Sequence, residues 1–136
     1  MGYNLVDVIN NGSIPEIEKA IQNGASVNTL LHHALRYNAA IEIIYLLVNK
    51  YKADVNATDD SGWTPLMYAL KCHADTKATE FLLAKGAKLR LSFSLYLDYD
   101  DTFNYMAQRL REIESLIFKK AYELDCKIAN MKKKLH

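Results

Sequence analysis

The sequence predicts an all-α chain built as a row of stacked helical pairs. Three observations lead there. Residues 5–90 can be written as three lines that repeat one order of segments: short helix, break, second helix, turn. Apolar residues inside each line recur at helical spacing, three and four apart. From Asp100 onward the chain holds no glycine or proline, and its apolar residues keep the same helical step.

The first line is LVDVINNGSIPEIEKAIQNGASVN, residues 5–28. The second is TLLHHALRYNAAIEIIYLLVNKYKADVN, residues 29–56, and the third is DDSGWTPLMYALKCHADTKATEFLLAKGAKLR, residues 59–90. Gly24 and Gly86 stand where a helix must stop and the backbone must turn left-handed. In the second line Tyr51-Lys52 replaces that glycine with two extra residues, which predicts a looser turn. Pro65 suits a first helical position, where its missing N–H costs nothing. Thr64 and Thr29 are the expected N-caps. Leu66, Ala69 and Leu70 share one helical face, as do Leu31, Ala34 and Leu35, and the alanines let helices approach closely. Ile43, Ile44, Leu46 and Leu47, then Phe81, Leu82 and Leu83, supply bulk from the second helices. No single pair buries both of its faces, so the core forms only by stacking.

The stretch GWTPLMYA, residues 62–69, resembles the ankyrin-repeat signature T-P-L-H-x-A. TLLHHA, residues 29–34, is the same motif with Leu30 in place of proline, and the first line is similar to an ankyrin N-terminal capping repeat. Met67 and Tyr68 depart from the pattern, standing for the usual histidine and small apolar residue. Residues 28 and 29 join directly, whereas seven residues, 57–63, separate the next corresponding positions. The finger that normally precedes a repeat is therefore expected to be missing before the second one. The resemblance implies an ankyrin solenoid over residues 1–90, in repeats of about 5–28, 29–58 and 59–90. Residues 91–136 follow as a capping or dimerisation segment.

Two histidines, His32 and His33, are adjacent. The resemblance implies that His32 bonds a neighbouring turn and locks the repeat. His33 lies about 100° around the helix, whereas a zinc pair needs side chains four residues apart. Both are expected to be structural. Cys72 and His73 are likewise neighbours without a third orienting group. The glycines, at 2, 12, 24, 62 and 86, are too scattered for a phosphate loop, and no nucleophile elbow or isolated carboxylate pair occurs. No enzyme activity, metal or cofactor is expected.

Beyond residue 90, LSFSLYLDY alternates with a period of two, which fits an extended segment or an apolar loop over the last repeat. Phe103, Met106, Leu110, Ile113, Ile117, Ala121, Leu124, Ile128, Met131 and Leu135 then form a stripe close to a heptad repeat with one stutter. One long helix fits this pattern, and so does a helical pair turning near Lys119-Lys120. The stripe either caps the open end of the stack or pairs with a second copy through residues 100–135; a degenerate fourth repeat at TFNYMA fits as well.

The net charge of +1 gives no field favouring nucleic acid or a membrane surface. The apolar window IEIIYLLV is too short to span a bilayer. The first residues lack a basic start and a long apolar run, so no signal peptide is expected. Two well-separated cysteines suit a reducing compartment, which predicts a cytoplasmic protein, in its own cell or in a host cell. The abundance of Lys, Asn, Ile and Tyr fits an AT-rich genome, and small ankyrin proteins occur among effectors of intracellular microbes and viruses.

A repeat scaffold without a reactive site predicts a non-enzymatic protein–protein interaction module or adaptor. The resemblance implies that finger tips and exposed inner-helix positions carry the binding. Those are Asp60, Ser61, Trp63, Lys71 and Cys72 in the third line, Arg36 and Tyr37 in the second, and Asn10 and Asn11 in the first. Trp63 is either an exposed anchor or a side chain folded down into the space of the missing finger.

Overall fold

The computed structural model describes residues 5–11, 13–72, 76–88 and 101–135. Those residues form helices and turns, with no strand among them. Three helical pairs follow in order: α1 (Leu5–Asn11) with α2 (Ile14–Gln22), α3 (Val27–Arg36) with α4 (Ile41–Tyr45), and α5 (Pro65–Cys72) with α6 (Lys77–Ala84). A final helix, α7 (Asp101–Lys134), runs 34 residues. First helices pack in a row, α1 on α3 and α3 on α5, while α4 packs on α6 behind them. The alternating segment 91–99 and His73 lie outside the described residues.

The core is the seam between layers. Leu30, Leu31, Ala34 and Leu35 of α3, and Leu66, Met67, Ala69 and Leu70 of α5, are fully or almost fully buried. Ala34 and Ala69 project only a methyl group, so the two helices sit close while the leucines interdigitate around them. Ile44 and Leu47 seal the back of the second layer, and Leu82 that of the third.

Turns between layers are tied by a repeated asparagine. The Asn28 side-chain oxygen accepts the Asp54 N–H at 2.8 Å. Asn56, one repeat later, accepts the Lys88 N–H at 2.9 Å and donates to the Gly86 carbonyl at 3.1 Å. Each turn is thus fastened to the next through backbone groups that would otherwise need water. Glu18 adds a second tie, accepting from the Tyr51 hydroxyl at 2.6 Å and from Lys50 at 2.9 Å.

The turn after α4 shows how the second line absorbs its extra length. In the first and third lines a backbone bond reaches back five residues, from Ala25 to Ala20 and from Ala87 to Leu82. In the second, the Ala53 N–H reaches six residues back to Leu47. The insertion relative to its neighbours is therefore one residue, not the expected two. It is taken up as a π-helical turn over Leu46–Lys50. Lys52 then adopts φ 58°, filling the left-handed place that Gly24 and Gly86 hold at 98° and 90°.

Helix α3 starts earlier than expected. Its cap is Ser26, whose hydroxyl accepts the Thr29 N–H at 3.3 Å, so Thr29 lies in the first turn and is not the cap. Leu30 lacks the proline that ends backward growth at Pro65, and no finger intervenes, so the helix extends upstream as far as Val27. Thr64 is the cap in the third layer: its hydroxyl accepts the Met67 N–H, and the Met67 sulfur accepts the Thr64 N–H at 3.4 Å.

Helix α7 is continuous, without a turn near Lys119-Lys120. Its first half crosses α5 and α6, with Met106 and Ile113 buried and Leu110 and Ile117 partly so. Lys120 pairs with Glu80 of α6 at 3.0 Å. After Ile117 every described residue is exposed.

Candidate functional site: a groove beside the finger loop

The connection from Asp54 to Thr64 holds the one full finger among the described residues. It is shaped by Asp59. One carboxylate oxygen accepts the N–H groups of Ser61 and Trp63, each at 2.9 Å, and the other accepts the Tyr68 hydroxyl from α5. The Asp59 N–H donates to the Trp63 carbonyl at 3.0 Å, and Gly62 closes the tip at φ 81°. The base of the finger is held by His32. Its ring nitrogens lie 2.7 Å from the Asn28 carbonyl and 2.8 Å from that of Ala57, so the ring spans two repeats. This is the locking role expected for that position.

Between this loop and α3 lies a mostly polar groove of about 530 Å³. Its walls are Ser26, Asn28 and Thr29 at the start of α3, His32, His33 and Arg36 along it, Ala57 to Ser61 of the finger, and Tyr68. The start of α3 that walls it is where residues 28 and 29 join directly.

Electrostatics in the groove follow from burial and hydrogen bonding. Burial alone would raise the Asp59 carboxyl, but the Tyr68 hydroxyl and the N–H groups of Trp63 and Ser61 outweigh it and hold the group below its ordinary value. Burial, and then the Asp59 carboxylate, push the Tyr68 phenol well up, so it stays protonated and donates. Burial first, and then the Arg36 guanidinium, lower His33, which keeps its imidazole neutral near pH 7. The His33 Nδ1 is buried without a hydrogen-bond partner.

The sequence-predicted residues fall into two groups. Arg36, Asp60 and Ser61 line the groove and are exposed. Tyr37 caps the end of α3 outside the groove lining, 38% exposed, with the Arg36 guanidinium 5.4 Å above its ring and His33 stacked on it at 6.0 Å. Trp63 is half-buried against the core and tilts onto Tyr68 at 5.0 Å, with the Lys71 ammonium 5.0 Å over its face. Trp63 and Lys71 therefore form a second aromatic–cationic pair, separate from Arg36 and Tyr37. Cys72 is a half-buried free thiol at the end of α5. Asn10 is exposed on α1, away from the groove lining, and the Asn11 side chain lies outside the described residues.

Sequence reasoning passed over His33, Asp59 and Tyr68 as site residues. A signal existed for one of them: Tyr68 departs from the repeat pattern on α5, and its hydroxyl donates to Asp59 of the finger. Among the described residues, no three His, Cys, Asp or Glu side chains converge to hold a metal ion. No described helix is long and apolar enough to cross a membrane.

Stacked helix–turn–helix layers with an inner groove beside a finger define a helical-repeat solenoid. The ankyrin-repeat family profile, with three repeats, matches residues 5–92, and the chain belongs to that family. Ankyrin repeats are generally protein–protein interaction modules and typically non-enzymatic. Comparison with curated proteins and with solved structures finds no match.

Proposed function

We propose that this chain is an adaptor that binds a protein partner across the finger loop and the inner helices α3 and α5, without transforming it. The observation that carries the proposal is the groove between the finger loop and α3. Its size is that of a site for several side chains; Arg36 and Asp60 line it in exposed positions, and exposed Tyr37 follows Arg36 in the chain. Arginine and tyrosine are favoured as interface anchors because each offers a rigid planar surface together with hydrogen bonds. The mixed charge of Arg36 and Asp60 suits a polar peptide stretch and gives little attraction for nucleic acid or a lipid surface. Free thiols at Cys72 and Cys126 support a place in the cytosol, of its own cell or of a host.

The test is capture of partners from cell lysate on the immobilised chain, compared with the Arg36→Ala/Tyr37→Ala variant, with bound proteins identified by mass spectrometry. Both side chains are exposed, so the variant keeps its circular dichroism spectrum and loses the specific partner. Equal capture by both chains removes the proposal.

A further inference from the structure

Helix α7 runs past the body that covers it. Met106 and Ile113 are buried against the third layer, yet Leu124 is 57% exposed, Met131 65% and Leu135 82%. The seam nevertheless continues through that uncovered stretch. Ala121, Leu124, Ile128, Met131 and Leu135 follow each other at alternating steps of three and four, the spacing that keeps one stripe facing a partner helix. A solvated helix gains nothing from such a stripe, whereas a paired one is held by it.

The borders of the stripe are mainly basic, with Asp125 the one acid on them. Lys120, Lys127 and Lys134 recur every seven residues along one border, and Lys132 stands on the other with Asp125. Over residues 118–135 six lysines face two acids. The first lysine shows what the border takes: Lys120 already binds Glu80 of α6 at 3.0 Å. Helix α6 ends at Ala84, and a mainly apolar recess of about 500 Å³, lined by Glu80, Leu83, Ala84, Glu114, Ile117 and Lys120, marks where its cover stops.

We propose that residues 118–135 are a docking seam for an amphipathic helix of another protein, apolar along one stripe and acidic along its borders. That helix takes over where α6 ends and repeats the Glu80–Lys120 pairing at Lys127, Lys132 and Lys134. A second copy of this chain fits poorly. In parallel pairing, Lys127 meets Lys132 of the second copy, and the one opposite-charge pair, Lys120 with Asp125, draws on a lysine that Glu80 already holds; in antiparallel pairing, the border of Lys120, Lys127 and Lys134 meets itself, against Asp125 with Lys132 on the other border. Like charges across the borders select against self-pairing and for an acidic partner. The seam is separate from the finger groove, so either site can fail without the other.

The experiment titrates the full chain into two labelled synthetic peptides of three heptads, both with Ile and Leu on the seam, one with Glu and one with Lys at the borders. Fluorescence anisotropy reads binding, and light scattering reads the mass of the chain alone. The chain is expected to be monomeric and to bind the Glu peptide at least about tenfold more tightly than the Lys peptide. Ile128→Asp abolishes binding, and Lys127→Glu/Lys132→Glu/Lys134→Glu reverses the preference. Both variants alter exposed positions, and circular dichroism confirms that they stay helical. A self-associated chain, equal affinity for the two peptides, binding to neither, or binding to phosphatidylserine vesicles in place of the Glu peptide overturns the proposal.

Discussion

Asp59 ties the finger to α5 with one carboxylate, and that tie has a pH signature. The folded carboxyl titrates below the ordinary value of 3.8. Its contribution is therefore complete above that value and is lost as pH falls through the lower folded value. Trp63 is the single tryptophan in the chain and leans on Tyr68, so its emission reports the event. Acid titration is expected to shift Trp63 emission below about pH 3.8, as the finger detaches. Asp59→Asn, which removes one charge-assisted acceptor, should bring the same shift at neutral pH and cost about 1–2 kcal/mol in urea unfolding. His32 was legible because the family pattern assigns it a fixed partner. Asn28 and Asn56 were written into the turns as the shared ending Val-Asn, but an asparagine in a turn satisfies so many local bonds that its reach to the next repeat is not readable in one line.

At the scale of elements, the second repeat carries the departures. Lys52 holds a left-handed conformation that costs a side-chain residue about 1–2 kcal/mol. Lys52→Gly removes that strain while loosening the unfolded chain, and a net gain of about 0.5–1 kcal/mol is expected in thermal or urea unfolding. Ala34, by contrast, sits fully buried where α3 meets its neighbours. Ala34→Leu should cost about 1–3 kcal/mol by forcing the layers apart, measured in the same unfolding experiment. Helix pairing and the bulk of the core could be read from periodicity, because apolar spacing and burial share one cause; the missing finger was read from the family resemblance. The start of α3 and the π-helical turn could not. Both depend on what lies beyond the helix end, the absent finger in one case and the register of the next turn in the other.

For the whole molecule, a row of layers is held only by nearest neighbours, and the last layer needs a cover. Met106 and Ile113 supply it. Met106→Ala and Ile113→Ala are each expected to cost about 2–4 kcal/mol. Ending the chain after Ile117 should leave the melting temperature nearly unchanged, because no described residue beyond it is buried. An equal loss on removing 118–135 would mean that those residues also hold the stack. The stripe on α7 was visible throughout in the sequence, but its division was not: hydrophobic spacing is the same whether the facing surface belongs to the chain or to another molecule.

The bare end of α7 also governs how the molecule moves through water. Residues 121–134 extend the body by a rod of about 21 Å at 1.5 Å per residue. Drag on such a shape exceeds that of a sphere of equal mass, so a lone copy will leave a sizing column early and mimic a heavier species.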